Sequence, residues 1–161
     1  MSCSEVFVDS SVLVGLNLGD EKAKKLVKSL IEEGHALVIN PIVFSETAYK
    51  VMFTLAIRDG LKGVYDLKKH LDEYTWVYEK VRDSIEKLVK SGFLRVLEID
   101  WQISRLSAEL GGEKYGLLTN DAMIVATCKS YEIEKIATFD SDFEKVDFLE
   151  VISPLISEQD G

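Results

Sequence analysis

The chain has 161 residues, the length of one domain, and its 28 acidic against 19 basic side chains leave a formal net charge of −9, which argues against the basic surface usual in nucleic-acid binders. Hydrophobic residues make up 47% while Pro numbers 2 and Gly 10, so a sizeable core is available and linker-like sequence is scarce. No apolar run reaches the roughly 18 residues of a membrane span, no signal-peptide pattern opens the chain, and Cys3 and Cys128 lie too far apart for a disulfide framework or metal-spaced pair, so a reducing cytoplasm is expected.

The stretch EVFVDSSVLVGL opens with the apolar run Val6 to Val8, ends it at Asp9, and predicts a buried strand followed by a turn. In GDEKAKKLVKSLIEEG, Ala23, Leu26, Val27, Leu30 and Ile31 recur at helical spacing, with Gly34 as the stop. HALVIN predicts a second buried strand. NPIVFSETAYKVMFTLAIRDG predicts a helix with Asn40 as N-cap, Pro41 at the first helical position and Asp59-Gly60 at its end. From Val64 to Leu88 apolar residues recur at spacings of three and four: Val64, Leu67, Leu71, Tyr74, Tyr78, Val81, Ile85 and Leu88. This heptad-like stripe predicts a helical stretch around 62–90, as one long helix or a pair, packed on its own domain or on a helical partner.

FLRVLEI predicts a third strand. DWQISRLSAELGGEKYG predicts a helix capped by Asp100, and LLTNDAMIVATCKSYEI another helix starting near Asn120. KIATF predicts a fourth strand, and FLEVISP a fifth closed by Pro154. Strands alternating with helices predict an α/β fold: one domain over 1–161, with a central, mostly parallel sheet of about five strands flanked by helices. Strands apolar along their whole length suit a sheet covered on both faces, whose ligands bind beyond the strand C-termini.

The acids fall on that edge. Asp9 follows the first strand, Glu46 sits in the second turn of the helix after the second, Asp121 opens a later helix, and Asp140 and Asp142 follow the fourth strand. Each has an ordinary role by itself. Asp9 can cap a turn, Glu46 can pair with Lys50 at i,i+4, Asp121 can favour a helix dipole, and Asp140 can make an Asx turn. Carboxylates gathered at one rim repel unless protons or cations neutralise them. Oxygen-only ligands suit Mg²⁺ or Mn²⁺ rather than zinc. Position alone leaves both readings open. A bound cation would also create local positive potential within an acidic protein, so the net charge counts only mildly against a nucleic-acid substrate.

The ordered set VFVDSSVLV, NPIVFSETAYKV, LLTNDAMIVATCKSYEI and KIATFDSDF resembles the PIN domain, especially the VapC-like ribonuclease toxins, over nearly the whole chain from Val6 to about Pro154. The resemblance implies a metal-dependent endoribonuclease using Mg²⁺ or Mn²⁺, often a homodimer, and, if a toxin, one held inactive by a small antitoxin protein. Asp9, Glu46, Asp121 and Asp140 match the family's four acids and Asp142 an acid often beside the fourth. Ser10 and Thr138 match supporting positions next to the first and fourth. The expected reaction is metal-assisted, in-line hydrolysis of an RNA phosphodiester. The long, aromatic-rich stretch between Leu61 and Lys90 departs from compact relatives and leaves the substrate and partner surfaces open.

Other residues read as structural. His35 and His70 are expected in surface or structural roles, Cys128 as an apolar filler, and Lys50, Arg58 and Lys114 as solvated lysine and arginine that could also position phosphate. The aromatics of the long stretch read as core or interface more readily than as base-stacking platforms. Competing functions are a stand-alone PIN nuclease in RNA processing or quality control and a non-catalytic interaction module, against which the intact acid set speaks. A phosphotransfer receiver needs a lysine at the C-terminal end of a late strand, and Lys135 stands at a strand start instead.

Overall fold

A computed structural model of the protein describes residues 4–153; Cys3 and Pro154, named above, lie outside the described residues. Five short strands form one sheet in the order β3-β2-β1-β4-β5: β1 (Glu5–Val8), β2 (Ala36–Ile39), β3 (Leu94–Val96), β4 (Lys135–Ala137) and β5 (Glu150–Ile152). Every neighbouring pair is parallel. Val6 stands opposite Leu37 on one side and Lys135 on the other, so β1 is the centre of the sheet. Val6, Phe7, Val8, Leu37, Val38, Ile39, Ile136 and Ala137 are all buried, which is why these strands read as unbroken apolar runs.

Among the described residues seven α-helices surround the sheet: α1 (Ser10–Leu18), α2 (Glu21–Glu32), α3 (Pro41–Arg58), α4 (Val64–Lys69), α5 (Trp76–Lys90), α6 (Trp101–Ala108) and α7 (Thr119–Ser130). Among the described residues no helix is long and apolar enough to cross a membrane. The α3 cap is as expected: the Asn40 side chain accepts from the Val43 amide at 3.1 Å, with Pro41 at the first helical position. Asn40 is fully buried and also donates to Thr127 at 2.9 Å, tying the start of α3 to the interior of α7. Asp100 caps α6 through the Ile103 amide at 2.9 Å.

Two expectations need correction, and one alternative left open by the sequence is decided. The segment after Asp9, read as a turn, is the nine-residue helix α1. SSVLVGLNL buries Ser10, Val12, Leu13, Gly15 and Asn17, so no polar face marks a helical period. Close packing of α1 on α2 is the reason: a Cβ at Gly15 would lie 2.7 Å from the Ala23 Cβ. The helical stretch of 62–90 is a pair of helices, α4 and α5, joined through a 3₁₀ turn at Leu71–Glu73. Its stripe is broken. Leu67, Tyr74, Val81 and Ile85 join Val77 in the chain's own core, while Val64, Leu71 and Tyr78 are exposed. Finally, the predicted single helix 100–116 is α6 followed by a π-helical turn, Glu109–Lys114. That turn brings Gly111 against α7, where an added Cβ would stand 2.4 Å from the Ala122 Cβ. Parallel strands and these crossovers bring the C-terminus of β1, the N-terminal half of α3, the start of α7 and the loop after β4 to one edge of the sheet.

Candidate metal centre

Asp9 is the most buried of the acids on that edge, 2% exposed. Its amide continues the sheet by donating to the Ala137 carbonyl at 3.0 Å, which fixes the backbone before α1 begins. One carboxylate oxygen, Oδ2, accepts from Ser11 Oγ and from Thr138 Oγ1, each at 2.8 Å. The other, Oδ1, is buried and has no hydrogen-bond partner. Burial pushes the Asp9 carboxyl above its ordinary range, with a smaller push from Glu46, against hydrogen bonds from Thr138 and Ser11 and the charge of Lys50.

Glu46 reaches the same place from α3. Burial pushes its carboxyl upward, but the hydrogen bonds of Ser10 and Asn120 and the nearby Lys50 outweigh it and hold the group below the ordinary carboxylate range. Ser10 Oγ donates to Oε1, Asn120 Nδ2 donates to Oε2 at 2.5 Å, and Lys50 Nζ lies 3.2 Å from Oε1. These donors come from α1, α7 and α3, so three helices hold one charged carboxylate.

Asp121 is half-buried at the start of α7. Burial, then the charges of Asp9, Asp140 and Glu46, raise it to about 7, with only Lys50 opposing. The loop after β4 supplies the remaining acids. Asp140 Oδ1 accepts from the Asp142 amide at 2.9 Å, an Asx turn that starts the 3₁₀ turn Ser141–Lys145. Asp140's own amide donates to Thr138 Oγ1 at 2.9 Å, and the Phe139 amide to Ser11 Oγ at 3.0 Å. Thr138 and Ser11 therefore orient Asp9 and hold the acidic loop at once.

Two carboxylate triplets result. Asp9, Glu46 and Asp121 each offer an oxygen within 4.8 Å of the others, and so do Asp121, Asp140 and Asp142. Asp121 is common to both. Sequence position put all five acids on one rim; the geometry divides them into two groups around a shared carboxylate. This donor set fits a hard divalent cation: it is all oxygen, it carries an unpartnered buried Asp9 oxygen, and burial together with mutual repulsion raises Asp121 to about 7.

Sequence reasoning passed over Ser11 and Asn120. Their only signal is adjacency, Ser11 two residues from Asp9 and Asn120 beside Asp121. Of the basic candidates, Lys50 belongs to the site, 3.4 Å from Ser10 Oγ as well as beside Glu46. Arg58 lies at the other end of α3, about 18 Å along the helix from Glu46. The ammonium of Lys114 sits over the Tyr115 ring, 5.3 Å from its centroid. His35 engages Ser4 and Glu33, and His70 the Asp66 carbonyl, in keeping with structural roles. Cys128 is buried, and burial pushes its thiol up.

The chain is similar to known proteins in sequence and in fold. The sequence model of the PIN domain matches residues 6–149. The chain is 60% identical over 152 residues to Ribonuclease VapC6 of Methanocaldococcus jannaschii, covering 94% of this chain and 99% of that protein. It is 38% identical over 152 residues to Ribonuclease VapC2 of the same organism, covering 94% and 95%. Among solved structures, a toxin-antitoxin complex from Klebsiella pneumoniae superposes with a TM-score of 0.61 at 21% identity, covering 92% of this chain and 97% of that one, a likeness of fold.

Proposed function

The chain belongs to the PIN domain family, and from that premise we propose that it is a metal-dependent endoribonuclease of the VapC kind, the toxin of a toxin-antitoxin pair. The observation that carries the reading is the pair of carboxylate triplets sharing Asp121, with the orphaned Asp9 oxygen at their inner end. Asp9, Glu46, Asp121, Asp140 and Asp142 would hold Mg²⁺ or Mn²⁺. Bound there, such an ion supplies Lewis acidity toward a phosphodiester oxygen and makes water a readier nucleophile at neutral pH.

The chain's own residues do the rest. Ser11 and Thr138 hold Asp9 with Oδ1 facing away from their hydrogen bonds. Ser10, Asn120 and Lys50 keep Glu46 ionised and aimed at the same point. Asp121 is the group whose proton must leave when a cation enters, because it is the carboxyl raised to about 7. Lys50 is the one ammonium bonded to this carboxylate set among the described residues, and it would steady a substrate phosphate. Supporting roles thus fall to Ser10 and Thr138, with Ser11 and Asn120 added.

Single-domain organisation over 1–161, an RNA substrate, a small antitoxin protein, a homodimer and a cytoplasmic place of action belong to the same proposal. The VapC names of two relatives and the toxin-antitoxin complex of similar fold support the antitoxin. The test is cleavage of cellular RNA with and without Mn²⁺, comparing wild type with Asp121→Asn. Mn²⁺-dependent cleavage lost in the variant is expected. Equal cleavage by both proteins, or none by wild type on any RNA, refutes the reading.

A further inference from the structure

Beside the carboxylates, on the face between α3 and α5, a cleft of about 490 Å³ opens to solvent. It shares Glu46, Lys50 and Asn120 with the metal centre, and the rest of its wall includes Tyr49, Met52 and Tyr78. We propose that this cleft seats one unstacked RNA base next to the scissile phosphate, with Tyr49 and Tyr78 as its stacking platforms; the inference rests on the nuclease reading above.

Packing does not account for the two rings. On α5 the core positions are Val77, Val81 and Ile85, and Tyr78 is turned off that face with 49% of its surface exposed. On α3 the core is served by Ala48, Val51 and Met52, while Tyr49 is 45% exposed. Tyr49 is nonetheless held: its ring stacks on Phe53 with centroids 6.0 Å apart and planes 25° from parallel. A fixed ring needs no reordering before it stacks on a base. Tyr49 also lies three residues after Glu46, on the same side of the helix.

Charge selects the occupant. An acidic peptide would set its side-chain charges against Glu46 at the cleft's edge, where a base sets none. A nucleobase is flat, neutral and polar only at its edge, so it can enter an apolar cleft beside carboxylates while its phosphate stays on the Lys50 side. The amide of Asn120 at the rim offers hydrogen bonding to that edge. The cleft volume is ordinary for a small-molecule subsite. Single-stranded RNA is recognised in this way, by aromatic rings under splayed bases.

The experiment measures binding and cleavage of a short single-stranded RNA, and of a set with one base removed at a time. Wild type is compared with Tyr49→Ala, Tyr78→Ala and the two Tyr→Phe variants. Binding is read by fluorescence anisotropy in Ca²⁺, cleavage in Mn²⁺. Each Tyr→Ala change is expected to weaken binding about 5- to 100-fold, and each Tyr→Phe change about twofold or less. Removing the base that occupies the cleft should weaken wild-type binding by a similar factor, yet cost the Tyr→Ala variants little more. Base-dependent binding without cleavage would support the subsite while ending the nuclease reading. Tyr→Ala variants that bind and cleave every oligonucleotide as wild type does would overturn the subsite and leave the nuclease reading standing. The same holds if those variants lose only inhibition by an amphipathic helical peptide, which would make the cleft a protein-docking surface. No RNA binding by wild type would overturn both.

Discussion

Replacing Asp121 by Asn should make the cation-free protein more stable, and increasingly so as pH rises. In the folded chain Asp121 keeps its proton until about pH 7, whereas an ordinary aspartate releases it near 3.8. Between those values the folded state binds more protons than the unfolded state, so stability is greatest below about pH 4 and falls as pH climbs through 7. A gap of about three pH units at about 1.4 kcal/mol each bounds the effect near 4 kcal/mol, and solvent screening of a half-exposed carboxylate reduces it to about 1–2 kcal/mol. Burial raises Asp9 as well and gives it the same sign; Glu46 is lowered and has the opposite sign, its stabilisation lost as pH falls. Comparing wild type with Asp121→Asn therefore removes one carboxyl together with its coupling to Asp9, Asp140 and Glu46. Urea unfolding in EDTA at pH 5 and pH 8 is the assay; that window spans about two of the three pH units, so the advantage of the variant should grow by about 0.5–1 kcal/mol between them. Adding Mn²⁺ to about 100 times its Kd should then stabilise wild type by about 2.7 kcal/mol. The variant, with one carboxylate fewer, should gain less. Parallel pH profiles for the two proteins would refute the argument that burial and repulsion at the rim raise Asp121.

Thr138→Val removes a donor to Asp9 and the acceptor of the Asp140 amide with little change of shape, so cation affinity measured by calorimetry should fall about 10- to 100-fold while Thr138→Ser keeps most of it. Gly111→Ala places a methyl 2.4 Å from the Ala122 Cβ, beside Asp121. Thermal unfolding should show a loss of about 1–3 kcal/mol, cation affinity should drop, and Ala122→Gly in the same chain should restore much of both. Asn40→Ala deletes the α3 cap and strips Thr127 of its donor in a buried place, so urea unfolding should show a loss of about 2–3 kcal/mol. Asn40→Ser, a neutral capping residue too short to reach Thr127, should recover part of the cap share alone.

Much of this protein is legible in its sequence because the relevant physics is local. Val6 to Val8 and the other apolar runs announce strands covered on both faces. Asn40-Pro41 and Asp100 announce helix starts, since capping depends on the next three residues only. The edge shared by Asp9, Glu46, Asp121, Asp140 and Asp142 follows from parallel topology, which places strand C-termini and helix N-termini together. Tertiary structure decided what depends on separation across the fold. Helix α1 hides in SSVLVGLNL because a helix buried nearly all round has no polar period to read. The apolar stripe of 64–88 divides into core and exposed positions only when α5 docks on α3. Ser11 and Asn120 look like ordinary polar residues until Thr138, 127 positions from Ser11, and Glu46, 74 from Asn120, are brought beside them. The division of five acids into two triplets around Asp121 rests on distances of a few ångströms. Local pattern carries which face a side chain takes; it carries nothing about which distant carboxylate will stand close enough to share a charge.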